Sequence, residues 1–353
     1  MAHIEYKELS LAKIRKTTLV VAVEEEKKEN RKMVKVMPEV ELSSGRKMPL
    51  LGMGTATFPV PSDDSATTAA VIAAIELGYR HFDTACVYGS ERAVGKAIAA
   101  ALERGLIGSR QEIFVTTKLW CTDMYADAVV PALQESIRNL GLEYVDLYLI
   151  HYPVRLKGEK NMVFTSESIL PMEDLPRVWE AMERCQALGF AKSIGVSNFT
   201  LHKLSHFLPH AKIPPAVNQV EMHPLWQQKK LREFCTEKGI HVSAYSPLGA
   251  IGVLWGTNAV LDCDEVKRIA QSTGKTRAQV CLKWGLEQGV SVIVKSFNRE
   301  RLKENMEIFD WKLSEEDKER LSKLPQKRYI LAEPFVSPNG FYKSHAEMWD
   351  GEI

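Results

Sequence analysis

The chain has 353 residues, 45% of them hydrophobic and 26% charged, with a formal net charge of +1. That balance is ordinary for a globular protein. It sets nucleic-acid binding aside as the main task, because such binding leaves a strongly basic face. No apolar run approaches the roughly 20 residues that a membrane helix needs. The length would allow two domains, but barrels of this size form one.

Residues 1–38 mix Lys and Glu, as in Val23-Glu24-Glu25-Glu26-Lys27-Lys28-Glu29, around a short apolar piece, Leu19-Val20-Val21-Ala22. That piece is too short for a secretory core, and the glutamates argue against an organelle transit peptide. A poorly ordered extension is expected there, with one domain over residues 39–353. Met37 offers a second start. Val40 to Leu50 reads as a strand, a turn at Gly45 and a second strand, a β-hairpin.

Strand-like and helix-like stretches then alternate to about residue 310. The strands centre on Leu51–Gly54, Arg80–Asp83, Ile113–Lys118, Val145–Ile150, Ala191–Val196, Ala216–Val220, His241–Tyr245 and Val290–Val294. Most are near-continuous apolar runs, as in strands covered on both faces. Eight strand–helix units in series predict an α/β fold, a closed (β/α)8 TIM barrel with the N-terminal hairpin added. After Tyr88, the residues Val94, Ala97, Ile98, Ala101 and Leu102 form one helical stripe, with Ser90 as N-cap and Gly105 as stop. An open doubly wound sheet would want a Gly-x-Gly-x-x-Gly turn. Gly52-Met53-Gly54 runs into Thr55-Ala56-Thr57-Phe58 instead. Past Leu324 a tail rich in Pro and aromatics is too apolar to float, and is expected to fold back over the barrel mouth.

In such barrels the chemistry sits where the strands end. Asp83, Lys118 and His151 close three successive strands, and Tyr88 follows the first of them. This is a proton-donor set and not a metal site. A free tyrosine titrates near pH 10, so a nearby cation, Lys118, is expected to lower its pKa. Asp83 would hold Lys118 charged, and His151 would orient a carbonyl oxygen against Tyr88. The scattered cysteines, Cys86, Cys121, Cys185, Cys235, Cys263 and Cys281, include no Cys-x-x-Cys pair. That argues against zinc or thioredoxin-like chemistry and for free thiols in a reducing, cytoplasmic setting.

No side chain supplies hydride, so a cofactor is implied. From Val294-Lys295-Ser296-Phe297-Asn298 the chain passes from a strand into a helix flanked by Lys295, Arg299 and Arg301, a phosphate-binding pattern that favours NADPH over NADH. Gln219 and the pair Ser197-Asn198 could hydrogen-bond a carboxamide, and Tyr245 could stack on a nicotinamide ring. Asn198-Phe199-Thr200 also matches a glycosylation sequon, discounted without a secretory signal.

On Phe82-Asp83-Thr84-Ala85 through Tyr88-Gly89, Thr117-Lys118-Leu119-Trp120, Gly195-Val196-Ser197-Asn198-Phe199, Asn218-Gln219-Val220-Glu221, Ala244-Tyr245-Ser246-Pro247-Leu248-Gly249 and the Lys295–Asn305 run, the chain resembles an aldo-keto reductase from about Glu39 to Leu324. The resemblance implies bound NADPH and a catalytic tetrad at Tyr88, Lys118, Asp83 and His151. It implies nicotinamide contacts at Ser197, Asn198, Gln219 and Tyr245. It places the rest of the cofactor on Ser246, Leu248, Lys295, Ser296, Phe297, Asn298, Arg301, Glu304 and Asn305. Met222-His223-Pro224-Leu225-Trp226-Gln227-Gln228 and Ile308-Phe309-Asp310-Trp311 resemble the plant branch, whose enzymes reduce ketones in specialised metabolism. Tyr152 stands where many members have Trp after the catalytic His, and Thr55-Ala56 where a Trp is common. Both suggest a wider pocket.

The expected reaction is reduction of a ketone or aldehyde by a monomer. The pocket would be lined by Trp120, Tyr152, Trp226, Trp255 and tail residues near Phe335 and Phe341. Two alternatives are reduction of an oxo amino-acid intermediate and an NADPH-binding redox sensor with little turnover.

Overall fold

In the computed structural model the described residues are 37–60, 62–158, 165–171, 174–252 and 256–353. The expected N-terminal extension lies almost wholly outside them, as does Trp255. Residues Pro38–Ile353 fold as one compact unit.

The hairpin forms as the sequence suggests. Strand β1 (Glu39–Glu41) pairs antiparallel with β2 (Lys47–Pro49), and Gly45 takes φ 78° in the turn. The barrel follows, each strand leading into a covering helix. Its order is β3 (Leu51–Gly54), α1 (Ser65–Leu77), β4 (His81–Asp83), α2 (Glu91–Glu103), β5 (Phe114–Leu119), α3 (Val129–Leu140) and β6 (Val145–Ile150). A small antiparallel pair, β7 (Arg155–Leu156) with β8 (Ile169–Leu170), is inserted before α4 (Leu175–Ala187). Then come β9 (Ala191–Ser197), α5 (Leu201–Phe207), β10 (Val217–Glu221), α6 (Lys229–Glu237), β11 (His241–Tyr245), α7 (Ala259–Asp262), α8 (Asp264–Thr273), α9 (Arg277–Glu287), β12 (Ser291–Val294) and α10 (Arg299–Met306). Helices α11 (Glu315–Ser322) and α12 (His345–Met348) complete the chain.

The eight barrel strands are parallel, and β12 closes the ring onto β3 through Ile293 opposite Gly52. Each expected strand is present within one residue at either end. Double-sided burial is the reason: a strand covered by helices outside and side chains inside must be apolar on both faces, which makes it legible without a period.

The end where the strands begin is given to stability. Leu42 and Met48 of the hairpin pack with Phe114, Leu147, Leu149, Ala216 and Val217. The buried Asp146 carboxylate accepts from Arg46 at 2.7 Å, Arg110 at 2.8 Å and the Val115 amide at 3.0 Å. The other end carries the candidate site, as barrels generally do. The tail returns to it: the Lys327 amide donates to Leu225 O at 2.7 Å, and the Tyr342 hydroxyl to Pro153 O at 3.2 Å.

Helix α2 departs from expectation in two details. Ser90 stands at the N-cap position as expected, but its side chain makes no cap hydrogen bond; its hydroxyl lies 2.8 Å from that of Thr55 and 2.7 Å from that of Thr84, tying three segments near Asp83. Leu102 is 38% exposed, at the edge of a stripe formed by Val94, Ala97, Ile98 and Ala101. Gly105 ends the helix as read, with φ 68°.

Gly95 shows how closely the outer helices approach. A Cβ there would lie 2.0 Å from the Leu140 carbonyl oxygen at the end of α3. Backbone cannot yield as a flexible side chain can, so Gly95→Ala forces the helices apart. Overpacking of this kind costs about 1–3 kcal/mol. A lower urea midpoint with an unchanged m-value is expected; an unchanged midpoint would show that α2 and α3 can separate freely.

Candidate active site

Four side chains converge where β4, β5 and β6 end. Asp83 is the last residue of β4, Lys118 lies in β5, and His151 follows β6. Tyr88 closes a single 3₁₀ turn, Cys86–Tyr88, that Gly89 ends at φ 65°. Parallel register sets the height of these groups: Asp83 is level with Thr116, and Lys118 with Leu149.

The Lys118 ammonium is 1% exposed and donates to Asp83 Oδ1 at 2.5 Å and to Thr84 O at 3.0 Å. It sits 4.9 Å from the centre of the Tyr88 ring. The Tyr88 hydroxyl is 3.1 Å from His151 Nε2, with the rings edge to face at 5.3 Å. The other Asp83 oxygen, Oδ2, accepts from the Gln219 amide at 2.7 Å.

Burial governs the electrostatics. It pushes the Lys118 pKa below the usual lysine value, while the Asp83 carboxylate works against that shift. Burial, and then the Lys118 cation, hold His151 well below the ordinary histidine range, so its ring is neutral. Nδ1 of His151 is buried without a hydrogen-bond partner among the described residues. A proton there would be left unpaired, which favours the tautomer with the proton on Nε2.

Tyr88 corrects an expectation. Its hydroxyl was expected to be acidified by Lys118, yet it lies well above the usual tyrosine range, first through burial and then through the Asp83 and Cys86 charges. The ammonium is turned to Asp83 and Thr84 and faces the flat of the phenol ring. The resting group is therefore a firmly protonated phenol.

The residues expected to grip a carboxamide bond chiefly to one another. Tyr245 OH donates to Asn198 Oδ1 at 2.7 Å, and Asn198 Nδ2 donates to His151 O at 2.9 Å and to Ser197 Oγ at 3.2 Å. Ser197 Oγ donates to Gln219 O at 2.8 Å. Asn198 and Ser246 take left-handed backbone, φ 64° and 50°, where β9 and β11 leave the barrel. With its NH₂ on Asp83, Gln219 ties β10 to the candidate tetrad.

The passage from strand to helix after Val294 forms as expected. Asn298 caps α10, its Oδ1 accepting from the Arg301 amide at 3.0 Å, and Ser296 Oγ accepts from the Asn298 amide at 3.2 Å. Lys295 lies 4.7 Å from the Phe297 ring centre, and its pKa is lowered by burial and then by the Arg301 cation. Neither cation has a carboxylate partner among the described residues. Two repelling cations beside a helix N-terminus suit a phosphate ester. Asn305 is buried beside Tyr79, while the half-buried Glu304 carboxylate accepts from the exposed Thr276 hydroxyl at 2.6 Å. Leu248 is partly buried in the turn after β11.

Of the expected pocket wall, Trp120 meets His151 edge-on at 5.1 Å, and Tyr152 stacks on His151 at 5.5 Å and 22°. Phe335 of the tail packs 5.0 Å from Tyr152, whereas Phe341 is 43% exposed. Trp226 lies 5.1 Å from the Arg328 guanidinium, in a clasp that holds the tail. Thr55 is fully buried and donates to Asp83 O at 2.9 Å, so it is a strut, and the smaller outward residue is Ala56. The bracing of this corner by Thr55, Thr84 and Ser90 was not expected, because small hydroxyl residues carry no pattern of their own. Glu221, two residues after Gln219 on the same strand face, accepts from the Tyr329 and Ile330 amides of the tail, a contact whose one local signal is that spacing.

Residues 50–325 match the Aldo/keto reductase family. The chain is 55% identical over 318 residues to the 7-acetyl-epi-neemfruitin B aldo-keto reductase of Melia azedarach, covering 90% of this chain and 98% of that one. It is 53% identical over 315 residues to an NADPH-dependent codeinone reductase of Papaver somniferum, covering 89% and 98%. Its fold is similar to that of a Bombyx mori aldo-keto reductase solved in complex with NADP, at 35% identity and TM-score 0.75, covering 84% of this chain and 95% of that one. With the family match over most of the barrel and these relatives along nearly their whole length, this chain belongs to the aldo/keto reductase family of oxidoreductases.

Proposed function

We propose that this protein is an NADPH-dependent reductase that converts a ketone or aldehyde of plant specialised metabolism to the alcohol, with Tyr88 as general acid. The observation that carries the reading is the Tyr88 hydroxyl at 3.1 Å from a neutral His151, above the buried Lys118–Asp83 pair. NADPH supplies hydride when bound. Lys295 and Arg301, with the start of α10, would hold its extra phosphate, and Gln219, Ser197, Asn198 and Tyr245 would frame its nicotinamide end.

His151 Nε2–H and Tyr88 O–H would both point at the substrate oxygen, fixing the carbonyl between them. As charge builds on that oxygen, Tyr88 gives up its proton. A phenol above its usual pKa can do so, because an alkoxide is a far stronger base than a phenolate. Lys118 then matters after the transfer: its cation steadies the phenolate it faces, and Asp83 keeps that cation charged and in place. Trp120, Tyr152 and Phe335 exclude water and present flat apolar surface. That wall favours a cyclic ketone over an oxo amino acid, whose charges it would desolvate at a cost. All the groups named come from one chain, and a monomer is the proposed working unit.

Tyr88→Phe should lower kcat by roughly 10²–10⁴-fold while NADPH binding, followed by its fluorescence, is kept. Near-normal turnover would remove Tyr88 as the acid and reopen the sensor reading.

The pH profile follows from the direction of two shifts. Reduction needs Tyr88 protonated and His151 neutral; the first holds until above 10.0 and the second until well below 6.5. The kcat for reduction should therefore stay level between about pH 7 and pH 9. A fall within that window would mean that Tyr88 is acidified after all. Alcohol oxidation, which needs the phenolate, should rise with pH.

Lys295→Ala or Arg301→Ala should weaken NADPH much more than NADH in paired titrations, because only NADPH carries the additional phosphate. Equal weakening of both would place the phosphate elsewhere.

A further inference from the structure

Two of the tail's fastenings stand toward its two ends, and one of them uses the strand that reaches the candidate tetrad. Beyond Gln219 on β10, Glu221 Oε1 accepts from the Tyr329 amide at 2.9 Å, and Oε2 from the Ile330 amide at 3.0 Å. Arg328 is 2% exposed, with its guanidinium 3.7 Å from the Trp349 ring centre and its Nη1 3.9 Å from Glu221 Oε2. Its Nε donates to Glu352 O at 2.9 Å. The second fastening holds the far end of the tail. Asp350 accepts from the Thr200 hydroxyl and from Lys203 Nζ, the latter at 2.6 Å, and Glu352 Oε1 accepts from the Leu201 amide at 3.1 Å. Between the two runs the segment with Phe335 and Tyr342, packed in one cluster with Trp120 and Tyr152.

We propose that Glu221 and Arg328 are positioning residues that select substrates by shape: they lock the tail so that Phe335 stands against Tyr152 and Trp120 as a fixed wall. The inference rests on the carbonyl-reductase reading above. Neither residue touches the reacting atoms. A buried carboxylate holding two consecutive backbone amides fixes both the direction and the register of the tail as it leaves β10. The stacked guanidinium sets an opposite charge 3.9 Å from that carboxylate, and His223 Nε2 lies 3.0 Å from its Oε1. A neutral amide at position 221 would offer one oxygen to two N–H groups and take away the opposite charge that Glu221 sets beside Arg328, so the wall would lose its fixed position. A small carbonyl needs no such wall. A rigid bulky one does, since an error of about 1 Å in placing reacting groups can lower rates by as much as about 10²-fold.

The test uses the full chain with propanal and a bicyclic aryl ketone such as tetralone. Glu221→Gln should raise KM for tetralone on the order of tenfold, leave propanal kcat/KM and NADPH affinity essentially unchanged, and increase deuterium uptake in residues 329–349. In Glu221→Gln/Phe335→Ala the tetralone KM should match that of Phe335→Ala alone, because Glu221 acts through Phe335. Equal losses for both carbonyls, multiplying effects in the double variant, or unchanged uptake would each overturn the proposal. If Glu221→Gln does not fold, Arg328→Lys, which keeps the charge and loses the planar stack, should give the same split and the same rise in uptake. If the unaltered chain reduces neither carbonyl, the reductase reading fails, and the uptake measurement still decides the lock.

Discussion

One buried ion pair organises this barrel's business end. Lys118 and Asp83 face each other across adjacent strands, 2.5 Å apart and shielded from water. Such a pair is tolerable only when its remaining hydrogen-bonding capacity is met. Thr84 O takes a second Lys118 proton, and the Gln219 amide satisfies the second Asp83 oxygen. The turn bearing Tyr88 and the strand bearing Gln219 are thereby held to one centre. The hydroxyls of Thr55, Ser90 and Thr84 brace the same corner from behind. A change to either charge would leave its partner buried and alone.

That arrangement changes the part the cation plays. In water, a lysine near a tyrosine simply lowers the phenol pKa. Here the ammonium is committed to a carboxylate, and the phenol is pressed among apolar rings, so desolvation and the Asp83 charge raise the phenol instead. The same burial keeps His151 neutral. The result is a pair of neutral hydrogen-bond donors above an ion pair whose charges nearly cancel. Such a site holds its protons at neutral pH.

The tail extends this order outward. Glu221 stands two residues beyond Gln219, so β10 joins the ion pair at one position and the returning chain at the next on that face. Trp226 and Trp349 enclose the guanidinium between them, which is how an arginine comes to lie fully buried in a segment that looks, residue by residue, like a loop.

The sequence by itself determined the barrel and the identity of its strand-end residues. Strands buried on both faces are continuous apolar runs, and a polar residue at or beside the end of one is conspicuous for that reason; Asp83, Lys118 and His151 are all of this kind. The strand-to-helix passage at the Lys295–Arg301 stretch and the cations at its start were legible because they depend on local sequence alone. Tertiary structure decided the rest. The direction of the Tyr88 shift depends on distances and burial set by three strands at once. The side-chain amides of Asn198 and Gln219 reach His151 O and Asp83, partners far away in sequence, and the hydroxyl of Ser90 meets two others brought from elsewhere instead of capping its helix. The union of Glu221 with Arg328 joins residues more than a hundred positions apart. No local pattern encodes such meetings, because they follow from closing the ring and laying the tail across it.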